Sequence, residues 1–206
     1  MDSIFKLSSF ILMLLAFLGV GCVVPYETAK MIPDGGSEWK GAITYVAVDK
    51  ITHKYSSEIG IGYGYGYSDK FNIKYRYEFV HGYEDNGLHF LSVSPKFSLI
   101  QDKLALITPF SLLRERNISS PILYLAVSPG LLYTHTFSQA FESTFGARAD
   151  LFLRGKAAMA FNLGFGITKP SAIWTIRPEV GIVFDFENEH YLTIGVGVDF
   201  KFLAKE

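Results

Sequence analysis

Charged residues of both signs recur in this sequence at every second position of otherwise apolar runs, and they are the residues best placed to do chemistry. Lys74, Arg76 and Glu78 alternate with Ile73, Tyr75, Tyr77 and Phe79, and Arg148 and Asp150 alternate with Ala147, Ala149 and Leu151. Arg177 and Glu179 lie between Ile176 and Val180, Asp199 and Lys201 alternate with Val198, Phe200 and Phe202, and Lys96, Glu142 and Asp185 hold equivalent positions. A period of two puts such residues on one face of a β-strand. Charges turned away from bulk water need partners, so this set implies either paired salt bridges that close an interior or a mixed-charge lining for a narrow aqueous path.

Histidine offers a second chemistry. His53, His81, His89 and His190 fall at or beside predicted turns, near Glu84, Asp85, Glu187 and Glu189. Three of those turns become neighbours if the last strand pairs with the first. Imidazole and carboxylate suit Zn²⁺ or Cu²⁺, but no two of these histidines have ligand spacing. They are rim candidates, and the expectation is no metal and no cofactor. His135 and Ser138 form no recognisable nucleophile arrangement. Gly60, Gly62, Gly64 and Gly66 are spaced strictly by two with no helical pattern after them, which does not fit a phosphate-binding loop. No catalytic residue is assigned.

The elements that must position these side chains are strands. The chain has 206 residues, a formal net charge of −1, 49% hydrophobic and 16% aromatic residues. It has no basic footprint for a nucleic acid. Beyond the first two dozen residues no apolar run approaches the ~20 that a spanning helix needs. Alternating runs appear instead at Ile59–Tyr67, Phe71–His81, Leu91–Leu99, Leu123–Tyr133, Phe141–Leu151, Met159–Ile167, Trp174–Phe186 and Leu192–Phe202, with less regular ones at Lys40–Val48 and Leu104–Leu113. That makes about ten strands, each near the length that crosses a bilayer at a tilt. An even number returns both termini to one end. Pro95, Pro109, Pro129 and Pro178 interrupt these runs, and bulges or misplaced boundaries would account for them.

The N-terminus has another character. Lys6 precedes an apolar core from Phe10 to Val20, followed by Gly21 and the only cysteine, Cys22. This resembles a bacterial lipoprotein signal, although Gly19 stands where such signals usually carry Leu. The resemblance implies a signal peptide over 1–21 and lipid attachment at Cys22. Residues 22–37, with Pro25, Pro33, Gly35 and Gly36, are expected to tether the anchored end to a barrel of residues 38–203 without a fixed fold of their own. A tail, 204–206, follows.

Which face lies inside is decided by composition. One face is a continuous series of Phe, Leu, Ile, Val and Tyr, and the other mixes Gly, Ala and Ser with a few opposite charges, which suits lipid outside and a narrow filled lumen within. The run of amphipathic strands, the signal before it and the aromatic-rich last strand resemble the small outer-membrane β-barrel proteins of Gram-negative bacteria. The pattern covers most of the chain, but Leu203–Glu206 follow Phe202 where such barrels often finish on an aromatic residue. The resemblance implies an all-β, closed, antiparallel up-and-down transmembrane barrel with both termini in the periplasm. It also implies outer-membrane lipid and the barrel assembly machinery as partners, in a monomer. A structural or narrow-channel role follows, since about ten strands enclose less space than the 16–18 of a porin. A lipid-active or surface hydrolase, and a soluble lipocalin-like binding barrel with its apolar face inward, are the alternatives.

Overall fold

The computed structural model describes residues 26–47, 55–83, 86–115, 123–153, 157–185 and 190–202. The signal segment with Cys22, His53 and the C-terminal tail lie outside these residues. The strands are β1 (Ser37–Ala47), β2 (Tyr55–Ser68), β3 (Phe71–Tyr83), β4 (Asn86–Ile100), β5 (Leu104–Ile107) and β6 (Phe110–Glu115), then β7 (Leu123–Val127), β8 (Gly130–Ser138), β9 (Phe141–Phe152), β10 (Ala157–Ile167), β11 (Trp174–Asp185) and β12 (His190–Phe202). Among the described residues no helix is long and apolar enough to cross a membrane.

Every neighbouring pair is antiparallel, and β12 returns to pair with β1 from Ser37↔Phe202 to Val46↔Thr193, so the sheet has no free edge. The segments β5 and β6 both pair with β4, and β7 and β8 both pair with β9. Each of these two pairs of segments is one broken barrel strand, which gives a closed ten-strand barrel. The breaks sit at Pro109 and Pro129, each of which lacks the N–H a ladder requires. No bulge is involved, because the register on both sides of each break is the same. Pro95 and Pro178 remain inside β4 and β11, and the register shifts fall near turns instead, as at Gly66/Ser68 and Thr136/Ser138. Carbonyls still use the broken rows: Thr108 N donates to Pro95 O at 3.0 Å, Ser128 N to Pro109 O at 2.8 Å and Ala149 N to Pro129 O at 3.0 Å.

The pleat then sorts the side chains. Trp39, Ile43, Ile61 (58% exposed), Tyr75, Leu91 (55%), Phe145, Ile176 and Phe200 point away from the barrel axis. Lys40, Asn72, Lys74, Glu78, Lys96, Glu142, Arg177, Glu179 and Asp199 point toward it and are buried. That is the inverse of a lipocalin-like barrel, whose apolar face is turned inward, and the soluble alternative fails on it. An apolar exterior that encircles the whole sheet has a favourable environment only in lipid.

Residues 26–36 do not behave as an unstructured link. They run inside the barrel, and Tyr26, Thr28, Ala29 and Ile32 are buried there. The inner-face glycines that neighbour this segment are its sockets. A Cβ at Gly195 would strike the Tyr26 hydroxyl, one at Gly197 would come within 3.0 Å of the Tyr26 ring, one at Gly64 would lie 2.6 Å from Ile32 Cδ1, and one at Gly66 would strike the Pro33 carbonyl. Backbone bonds fix the exit from the lumen, with Gly35 N donating to Gly66 O at 2.9 Å and Gly66 N to Gly36 O at 3.0 Å. The turn at Asp34-Gly35 uses the positive φ of 68° that glycine tolerates. Ala29 completes a small apolar cluster with Ala105, Ile107 and Leu132 on the opposite wall.

Gly197→Val therefore crowds the Tyr26 ring, whose atoms are the three nearest to the added Cβ, without driving that atom into the backbone of the neighbouring strand. We expect a loss of about 1–3 kcal/mol, the usual cost of overpacking, together with new cleavage after Lys30 by trypsin in protein that still migrates as a folded barrel.

Candidate functional site: a charged and occupied lumen

Three groups of charges fill the lumen. The first surrounds Glu27 of the internal segment. Lys74 Nζ on β3 lies 2.7 Å from Glu27 Oε2 and 2.7 Å from Glu38 Oε1, so it bridges the segment to β1. Lys40 on β1 donates to the Tyr26 carbonyl and stands 3.5 Å from Glu27 and 3.3 Å from Asp199. Lys96 on β4 donates to the carbonyls of Thr28 at 3.1 Å and Lys30 at 2.6 Å. Strand parity explains the convergence: each lysine occupies an inward position, and each faces the same stretch of the segment.

The second group centres on Arg177. It donates to Asp199 and lies 2.9 Å from Glu142, which also pairs with Lys30 of the segment at 2.5 Å. Lys201 sits directly across the ladder from Glu38. The third group occupies the end of the barrel further from Ser37 and Phe202. Arg76 pairs with Glu78, with Glu58 close to both, Arg148 pairs with Asp150 at 2.8 Å, and Asn162 Nδ2 donates to Glu179 at 2.8 Å. Hydroxyls join the wall to the segment, through Thr28–Thr134 at 3.0 Å and Tyr26–Thr44 at 2.6 Å, and Thr134 in turn bonds Thr144 on the next strand at 2.8 Å.

The inward charges named from the sequence, Lys74, Arg76, Glu78, Arg148, Asp150, Arg177, Glu179, Asp199 and Lys201, thus all fall on inward positions, and the structure gives each of them a charged or polar neighbour. Asp199 joins the first two groups, lying 3.3 Å from Lys40 and pairing with Arg177. Sequence reasoning missed Glu27, Lys30, Glu38, Lys40 and Glu58. Glu38, Lys40 and Glu58 alternate with Trp39 and Ile59 and were findable by parity. Glu27 and Lys30 carried no such signal, because no period governs the segment they occupy.

The described histidine side chains, those of His81, His89 and His135, do not assemble. His89 and His81 are on outward positions of β4 and β3. His89 Nδ1 lies 2.7 Å from the Tyr77 hydroxyl, and its ring packs 5.0 Å from that of Phe79. His135 is also exposed on the outward face, its ring 4.5 Å from Phe137. Of His190 only the backbone, paired with Phe184, is described. Among the described residues no cluster of three metal-ligating side chains occurs.

No protein-family model matches this sequence, and no curated protein does. Solved structures resemble it at low identity. The N-terminal β-barrel domain of Pseudomonas aeruginosa OprF is 12% identical with a TM-score of 0.39, covering 82% of this chain and 98% of that one. The KdgM porin, solved with disordered oligogalacturonate, is 11% identical with a TM-score of 0.45, covering 80% and 98%. The translocator domain of the autotransporter NalP from Neisseria meningitidis is 10% identical with a TM-score of 0.45, covering 82% and 88%.

Arg177 holds two carboxylates in a buried site, so Arg177→Met leaves Glu142 and Asp199 without their shared cation. We expect a loss of about 3–5 kcal/mol in denaturant titrations. Adding Asp199→Asn should restore part of it, since a neutral amide removes a buried carboxylate left with only the 3.3 Å contact to Lys40.

Proposed function

We propose that this chain is a bacterial outer-membrane β-barrel whose lumen is closed at rest by its own residues 26–36, and that it serves as a structural barrel or a narrow channel. The observation that carries this reading is the sorting of side chains across one wall: Ile61, Tyr75 and Phe200 face outward while Lys74, Arg76, Arg177 and Asp199 are enclosed. Lipid accepts such an exterior, and a closed sheet leaves no backbone group unpaired at an edge.

The outer membrane follows as the location because closed β-barrels with an apolar band are its characteristic spanning structures. The two ends of the barrel wall, Ser37 and Phe202, pair with each other, so they share one side of the membrane, which we assign to the periplasm. Lipid attachment at Cys22 belongs to the same reading and rests on the resemblance of the segment before it to a lipoprotein signal. A hydrolase reading lacks support among the described residues, where no nucleophile–base pair faces the lumen and His135 points outward.

Two measurements test the proposal. Ile61→Lys puts a charge on the lipid face and should cost about 2–4 kcal/mol when the barrel is unfolded from bilayers if the position lies near the midplane; no loss there, or extraction of the protein without detergent, would overturn the membrane reading. Planar-bilayer recordings address the channel half, and rare brief openings of the wild-type chain are the expected result. A complete lack of current would leave the structural role.

A further inference from the structure

The lumen lysines are arranged as a binding site that already has an occupant. Lys40, Lys74 and Lys96 come from three different strands and converge on Glu27 and on the carbonyls of Tyr26, Thr28 and Lys30. Lys96 is 1% exposed, and among the described residues its ammonium makes no ion pair and bonds only those two segment carbonyls. Two carboxylates of the wall lie nearby, and both are shared. Glu38 bridges Lys74 and Lys40, and Asp199 is divided between Lys40 and Arg177. When Glu27 leaves, the wall there carries more positive than negative charge in a region that excludes bulk water, which is costly unless another anion enters.

We propose that Lys40, Lys74 and Lys96 form an anion station for carboxylate solutes, and that Glu27 is a tethered carboxylate occupying it until a free one competes. This deepens the channel reading above and rests on it. The segment is suited to displacement. Charge-assisted and hydroxyl hydrogen bonds hold much of it, and of its buried apolar side chains, Tyr26, Ala29 and Ile32, only Ala29 joins the buried apolar cluster of the wall. Bonds of that kind exchange for equivalent bonds to a solute, whereas a large buried apolar face has no such substitute. Lys30 leaves with the segment and frees Glu142, whose charge Arg177 still balances at 2.9 Å. The vacated path therefore keeps its positive excess at the three lysines.

The test uses the full chain in planar bilayers under a potassium chloride gradient, with citrate as the probe carboxylate. Citrate should raise the opening frequency of the wild-type protein. Glu27→Gln should open at least about tenfold more often, since each 1.4 kcal/mol lost from the closed state is a factor of ten, and its reversal potential should show anion preference. Lys96→Met added to that variant should reduce the preference. A Thr28→Cys/Thr134→Cys variant, joining groups now 3.0 Å apart, should stay silent when oxidised and recover citrate-dependent opening on reduction, whether or not Glu27→Gln folds.

Openings without anion preference, wild-type currents indifferent to citrate, or an oxidised variant that conducts freely would each overturn the station. A folded, heat-modifiable barrel that stays silent in every variant would also overturn it and leave the structural reading standing. Failure to insert into bilayers at all would remove both.

Discussion

Inside a barrel whose exterior faces lipid, a charge has nowhere to find water except the lumen, and this lumen is not left to water. Lys74, Arg177 and Arg148 are each met by carboxylates at hydrogen-bonding distance. The size of the cylinder makes the arrangement necessary. About eight strands give an interior that side chains alone can fill, and this barrel has ten. Its inner face is moreover rich in small residues, such as Gly64, Gly66, Gly195 and Gly197, that leave space on the wall. Something else must fill that space and satisfy the remaining polar groups, and residues 26–36 do both.

The wall and the segment are matched residue by residue. Glu27 faces a lysine-rich wall, Lys30 faces Glu142, the Tyr26 ring lies over two glycines, and Ala29 meets the short apolar patch of Ala105, Ile107 and Leu132. Specificity of this kind comes from the geometry of opposed charges and sockets, since burial of the Glu27 carboxylate and the Thr28 hydroxyl without partners would be unfavourable. The contacts are strong in a low dielectric and easily exchanged for equivalent ones. A segment held this way is firmly placed yet removable, which an apolar plug would not be.

The prolines show how the wall itself tolerates defects. Pro109 and Pro129 break their strands at adjoining rows, yet the register continues across both, because the carbonyls of Pro95, Pro109 and Pro129 still accept bonds from the next strand. Closure of the barrel holds the two halves of each broken strand in line. A strand in an open sheet would be free to slip at such a point.

Periodicity determined most of this architecture from the sequence alone. A repeat of two is a local property, so Phe71–Phe79 and Asp199–Phe202 announced strands and assigned Lys74, Arg76, Asp199 and Lys201 to one face without any knowledge of their neighbours. The exclusion of the soluble barrel followed once that face was seen to be enclosed. What only the tertiary structure decided was which groups meet. Residues 26–36 have no repeat and are rich in turn formers, so their sequence looks like a link, and their order comes entirely from a wall built by residues far along the chain. The same holds for the histidines: proximity in turns suggested a rim site, but strand parity turned His81 and His89 outward. Local pattern fixes the direction in which a side chain points, and closure of the cylinder fixes what it finds there.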